Sequence, residues 1–170
     1  GEHFQPGVNI VEQPGAQPVA SAAGIMYLFD PFNSPEFRRA IRETKDPQME
    51  RPIVDQQDII LAEMRARIQV IRNLRAGEPI RTPVAFIVGK CDVWLQLLNG
   101  KTLREPLHDG KLDEAALEEN SNIIRDLLHQ LCPAVVANAE ALSTNVMCFY
   151  ASSFGHADLK IGPSEYVPDP

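Results

Sequence analysis

Val84-Ala85-Phe86-Ile87-Val88-Gly89-Lys90-Cys91-Asp92 begins as an unbroken apolar run and breaks into a polar turn at Gly89. The run is too short for a helix and apolar on both faces, which fits a central strand covered above and below. Ahead of it, Asp55 can cap a helix over about 56–76, with Ile60, Met64, Ile68, Ile71 and Leu74 near the 3.6-residue period. Arg72 and Arg75 suit the negative end of that helix, and Gly77 suits its stop. Farther back, Gly24-Ile25-Met26-Tyr27-Leu28-Phe29 is a second apolar run, closed by Asp30-Pro31. Ser34-Pro35-Glu36 then supplies an N-cap, a proline at the first helical position and an acid in the first turn of a short helix.

Downstream, residues 95–111 read as a loop or lid-like insertion around Asn99-Gly100. Asp113 caps a third long helix, with Ile124, Leu127, Leu128 and Leu131 on one side, and Pro133 starts a fourth that ends at Leu142. Val146-Met147-Cys148-Phe149-Tyr150 is the third strand, followed by Ala151-Ser152-Ser153-Phe154-Gly155. Each strand is followed by enough chain for a right-handed crossover. The expected fold is therefore three-layer α/β, a parallel sheet of at least three strands with helices on both faces. Residues 1–23 form an irregular N-terminal segment, in which Val8, Ile10 and Val11 can make an edge-covering strand; 24–160 form the domain; 161–170 form an extended, Pro-rich tail.

Ligands of such sheets bind beyond the carboxyl ends of the strands. Asp30, the Gly89–Asp92 turn and the Ser152–Gly155 turn all fall there. Composition narrows the classes of partner. With 16 Lys and Arg against 23 Asp and Glu, the net charge of −7 argues against nucleic acid and anionic membrane as partners. No apolar run is long enough to span a membrane. Cys91, Cys132 and Cys148 are odd in number and far apart, which fits neither a disulfide framework nor a zinc site, and His3, His108, His129 and His156 are isolated. The first residues carry no basic and apolar signal-peptide pattern, and the chain reads as a cytoplasmic piece of a longer protein.

The Val84–Asp92 segment resembles the guanine-specificity segment of P-loop GTPases, a buried strand ending in Asn/Thr-Lys-x-Asp. Lys90 and Asp92 match that pattern; Gly89 stands where the family has Asn or Thr. Phe149–Gly155 resembles the family's last motif, Ser-Ala-x-Gly, with Ser152 on the Ser and Ser153 on the Ala. Gly24–Pro31 is similar to the strand preceding the guanine motif in bacterial double-GTPase-type domains. The resemblance covers roughly residues 24–160 and implies the base-binding half of a GTPase domain. Its implied guanine-binding residues are Lys90, Asp92, Ser152 and Ser153, with Asp30 as an acid behind them, and its implied ligand is GTP or GDP, weakly held. G-x-x-x-x-G-K-[ST] appears nowhere in the chain, and neither does Asp-x-x-Gly.

Each of these residues also has a plainer reading. Asp30 is equally a turn or capping residue before Pro31, and Lys90 and Asp92 a polar turn after a strand. Ser152 and Ser153 fit an ordinary turn, Trp94 a cover over the sheet end, and Arg65, Arg67, Arg72 and Arg75 a solvated helix face. Three functions follow as expectations. The first is a non-catalytic GTPase-like module for protein interaction, its partner another protein, the rest of its parent chain, or a second copy through the strand edge of Gly24–Phe29. The second is a guanine-nucleotide-binding half-domain completed by upstream chain that carries the phosphate loop. The third is a small Rossmann-like hydrolase using Asp30 and the serines.

Overall fold

The computed structural model describes residues 16–42, 46–53, 56–152, 160–161 and 165–166. In chain order these form α1 (Ala16–Ser21), β1 (Ile25–Phe29), α2 (Pro35–Ala40), α3 (Gln57–Ile71), β2 (Val84–Val88), α4 (Cys91–Trp94), β3 (Leu107–His108), β4 (Lys111–Leu112), α5 (Glu114–Leu131), α6 (Pro133–Leu142), β5 (Val146–Tyr150), β6 (Lys160–Ile161) and β7 (Glu165–Tyr166). The three apolar runs make one parallel sheet in the order β1-β2-β5. This is the expected α/β architecture, a three-stranded parallel sheet packed against helices.

The register sets the core. Ile25, Val84 and Val146 are aligned, then Tyr27, Phe86 and Cys148, then Phe29, Val88 and Tyr150, so these nine side chains share one face. Phe86 lies at the centre of that face. It stacks on Tyr27 with ring centroids 5.3 Å apart, and Phe29 lies 5.7 Å from it. Helix α5 packs against β5 and α6, α6 against α3, and α3 against α1. The opposite face carries Met26 and Leu28, then Ala85 and Ile87, then Met147 and Phe149. Its β2 and β5 residues are half-buried, but Met26 is 77% and Leu28 67% exposed.

Local sequence explains most of the helix boundaries. Ser34 and Asp113 accept hydrogen bonds from Phe37 N–H and Ala116 N–H as N-caps, and Pro35 and Pro133 occupy first-turn positions. Helix α3 stops at Ile71 rather than near 76. Asn73 takes the left-handed conformation (φ 52°), and Leu74 N–H reaches back to Gln69 O, a glycine-free C-terminal cap. Ala16–Ser21, in the segment expected to be irregular, is helical. It is tied to α3 through a hydrogen bond from the Arg72 guanidinium to Ala20 O. The segment expected to be a loop over 95–111 runs into a small hairpin, β3–β4, spanning 107–112, whose Asp109-Gly110 turn has two positive φ angles (51° and 71°).

The arginine face of α3 is only partly solvated. Arg67 is fully buried and donates through Nε and Nη2 to Glu63 at 3.0 and 2.9 Å. The Val8–Val11 segment, the Asp55 cap and most of the tail lie outside the described residues; β6 and β7 pair as a short antiparallel ladder within it. Among the described residues no helix is long and apolar enough to cross a membrane.

Two measurements test this packing. Phe86→Ala should lower the unfolding free energy by ~3–5 kcal/mol, whereas Met26→Ala should stay within ~0.5 kcal/mol of the parent, both read from urea denaturation. The Cys148 thiol is pushed up from about 9 to about 11 by burial. The folded chain therefore keeps a proton that the unfolded chain releases from about pH 9, and stability should fall between about pH 9 and 11 by on the order of 2–3 kcal/mol. Cys148→Ala should flatten that part of the pH profile; an unchanged slope would show that the thiol is not protected.

Candidate functional site at the carboxyl ends of the strands

At the carboxyl end of β1 and β2, the chain leaves each strand in a different way. Asp30 stays extended (φ −97°, ψ 110°), and its carboxylate accepts from Phe32 N–H at 3.0 Å, capping a 3₁₀ turn over Pro31–Asn33. Lys90 turns into the left-handed region (φ 55°, ψ 42°) immediately before α4. That conformation is uncommon for a residue with a side chain. The Lys90 ammonium meets the Asp30 carboxylate at 3.0 Å and donates to Gln48 Oε1 at 2.9 Å. It also lies 4.0 Å from the centroid of the Phe32 ring.

Two further residues fix this arrangement. The Gln57 carboxamide accepts from Asp30 N–H and donates to Asp30 O, each at 2.8 Å. It thereby supplies the edge of β1 with the donor and acceptor that a neighbouring strand would offer. The Arg38 guanidinium donates to the carbonyls of Phe32, Met49 and Arg51. It joins the turn after β1 to the short 3₁₀ turn Pro47–Glu50 that carries Gln48.

The second pair of strand ends is joined through the backbone. Ala151 N–H donates to Val88 O, and Cys91 N–H donates to Ala151 O at 3.1 Å. The turn after β2 is thus held against the residue preceding Ser152. Asp92 is exposed in the first turn of α4, and Ser152 is half-buried. Trp94 is buried, and its indole N–H donates to Gly89 O at 2.9 Å, so it covers the sheet end. At Gly89 a Cβ would meet Phe29 O at 3.5 Å and Leu28 Cδ1 at 3.6 Å, ordinary contact distances.

The structure thus brings Asp30, Lys90, Asp92 and Ser152 to one end of the sheet; Ser153 lies outside the described residues. Lys90 and Asp30 are directly paired, while Asp92 takes part in no ion pair among the described residues. Gln57, Gln48 and Arg38 were not legible as site residues. Each acts on backbone or side chains between 6 and 42 residues away, and no local pattern marks them.

Beside β1, a solvent-open cleft of about 820 Å³ is lined by Phe29, Ser34, Gln57, Asp58, Cys132 and Val135, among others. Cys132 Sγ lies 3.1 Å from Ser34 Oγ. Burial raises the Cys132 thiol pKa, and the Ser34 hydrogen bond only partly opposes this. Cys91 is raised by burial and by the adjacent Asp92 carboxylate. Neither thiol is a ready nucleophile at neutral pH. Tyr150, at the end of β5, is raised by burial and then by Glu105. Among the described residues no group of three or more His, Cys, Asp or Glu side chains could hold a metal ion.

No protein-family model, curated protein or solved structure matches this chain.

Proposed function

We propose that the chain is a non-catalytic GTPase-like module for protein interaction within a larger cytoplasmic protein or assembly. The observation that carries this reading is the outer edge of β1, which pairs with no other strand among the described residues. Ile25 N–H donates to Pro83 O, and Phe29 O accepts from Gly89 N–H. In a parallel ladder the intervening residues face away, so Met26 and Leu28 present their N–H and C=O groups on the side away from β2. Their side chains are exposed as well. Proteins rarely leave such an edge bare, because it is a template for another strand. The strand-end chemistry agrees with a binding role: the Lys90 charge is taken up by Asp30, and the sequence has no phosphate loop to hold a triphosphate and magnesium.

The second reading, a guanine-nucleotide-binding half-domain completed by upstream chain, draws on one specific observation. The turn bearing Lys90 and Asp92 is hydrogen-bonded to the segment bearing Ser152, and the Asp92 carboxylate is exposed. In this reading Asp92 accepts from the guanine ring N–H and amine, Lys90 lies along the base, and Ser152 and Ser153 close the pocket. Lys90 must then leave Gln48 or share its donors. The resemblance also sets the open β1 edge beside a phosphate-loop strand, which would come from that upstream chain.

Incubated with GTP or ATP and magnesium, the isolated chain should release no phosphate above buffer. A steady magnesium-dependent release abolished by Asp92→Ala would overturn the non-catalytic reading.

Nucleotide titration by NMR separates the two readings. Two hydrogen bonds to a carboxylate contribute about 1.5–3 kcal/mol each at best, less the cost of immobilising the ligand. A base-only site therefore corresponds to millimolar or high-micromolar affinity. GMP, GDP and GTP should bind alike and more tightly than AMP, with the response lost in Asp92→Asn. Guanine nucleotides that shift no resonance around Asp92 would eliminate the second reading, and GTP binding far tighter than GMP would reveal a phosphate site.

A further inference from the structure

We infer that Asp46–Arg51 is a strap, a self-contained turn clasped over the ends of β1 and β2 by two cationic side chains, which opens as a unit to uncover the strand end. This goes beyond both functional readings, since it holds whatever ligand or partner comes to that end.

The turn is built from its own bonds. Asp46 Oδ1 accepts from Gln48 N–H at 2.8 Å, Met49 N–H donates to Asp46 O at 3.0 Å, and Arg51 N–H donates to Gln48 O at 3.2 Å. None of these three bonds involves the rest of the fold, so the turn keeps its shape docked or undocked.

Docking depends on side chains instead. Among the described residues, every hydrogen bond between the turn and the rest of the fold is donated by Lys90 or Arg38. Lys90 Nζ donates to Gln48 Oε1 at 2.9 Å, and Arg38 Nη1 donates to Met49 O at 3.1 Å and Arg51 O at 2.7 Å. Met49 adds an apolar contact, half-buried against the core. No main-chain ladder ties the turn to the sheet it covers.

The two clasps come from different parts of the chain. Arg38 belongs to α2, shortly before the turn, and Lys90 follows β2, 42 residues beyond Gln48. Lys90 is the latch that yields first. Its other acceptor, the Asp30 carboxylate at 3.0 Å, is charged, whereas Gln48 Oε1 is neutral and the weaker of the two. Release of Gln48 therefore leaves the Lys90–Asp30 pair in place. The Lys90 side chain is 27% exposed, so water can take the place of Gln48 without breaching the core.

Opening changes what the strand end offers. An ammonium has three donors, and here the Asp30 carboxylate, Gln48 Oε1 and the Phe32 ring surround it. An oxygen arriving at Lys90 from a ligand or partner must compete with Gln48. Ligands of parallel α/β sheets bind at this end, so occupation of Lys90 and closure of the strap are competing states.

Proteolysis measures the open state. Glu50 is exposed, but endoproteinase Glu-C needs a released, extended segment to cut after it. With the 170-residue chain below its unfolding transition, the rate of that cut, followed by mass spectrometry, should vary little with urea, because local opening exposes little surface. Gln48→Ala should speed the cut by about tenfold or more, as expected for loss of a hydrogen bond to a charged group. Lys90→Met should speed it at least as much, and the double variant no further, because both changes remove the same contact. If Lys90→Met folds poorly, Gln48→Ala and the urea dependence suffice.

Equal rates for Gln48→Ala and wild type, or a wild-type rate that climbs with urea as steeply as global unfolding, overturn the strap. Effects that multiply in the double variant overturn the latch between Lys90 and Gln48. No nucleotide or partner enters the measurement, so either failure leaves both functional readings standing.

Discussion

Asp30 is held from three directions at once, and the strand-end structure depends on that convergence. Its backbone is fixed by Gln57, its carboxylate caps Phe32, and the same carboxylate holds Lys90 across the sheet. The energies involved are individually small. A pair with both side chains about a third exposed contributes about 1 kcal/mol or less, a neutral hydrogen bond ~0.5–1.5 kcal/mol net, and the Phe32 contact about the same. The node therefore positions more than it stabilises. It determines where the Pro31–Asn33 turn goes and brings the Pro47–Glu50 turn over the ends of β1 and β2 through Gln48.

The strands were legible because each is an apolar run bounded by turn-forming residues, and such runs leave few alternatives at five residues in length. The parallel sense followed from the length of the connections. Helix starts were legible where a side chain could cap, at Ser34 and Asp113, because that signal is local. The end of α3 was not, because the stop at Asn73 depends on a left-handed asparagine rather than on Gly77. Nor was Arg67, whose burial depends on Glu63 one turn away and on how α3 meets its neighbours. The β3–β4 hairpin had its sign in Asp109-Gly110, but two-residue strands carry too little pattern to read.

The candidate site divides in the same way. That Asp30, Lys90, Asp92 and Ser152 share one end of the sheet follows from the order of strands alone. What each side chain touches does not. Lys90 points to Asp30 because its backbone has turned left-handed, and that turn belongs to the connection between β2 and α4 rather than to any property of lysine. Gln57 is a helix-start residue by sequence and a strand-edge residue by contact. A carboxamide carries the same donor and acceptor as a peptide unit, which is why it can stand in for one.

The register of the sheet has a kinetic consequence. Both strand pairs of the three-stranded sheet join residues about sixty positions apart, Ile25 with Val84 and Val84 with Val146, without a local hairpin between them to start from. Closing such long loops costs entropy before any ladder forms to offset it, so the parallel sheet is a slow element to assemble. The helical segments can form and meet early, because α5 and α6 are consecutive and in contact. Until the sheet assembles on them, all three apolar runs are open to one another and to other molecules. The residues that later bond outer backbone groups at its edges, Ser121 at Cys148 N–H and Gln57 at Asp30, both reside on helices, so the guards can be formed before the strands they protect.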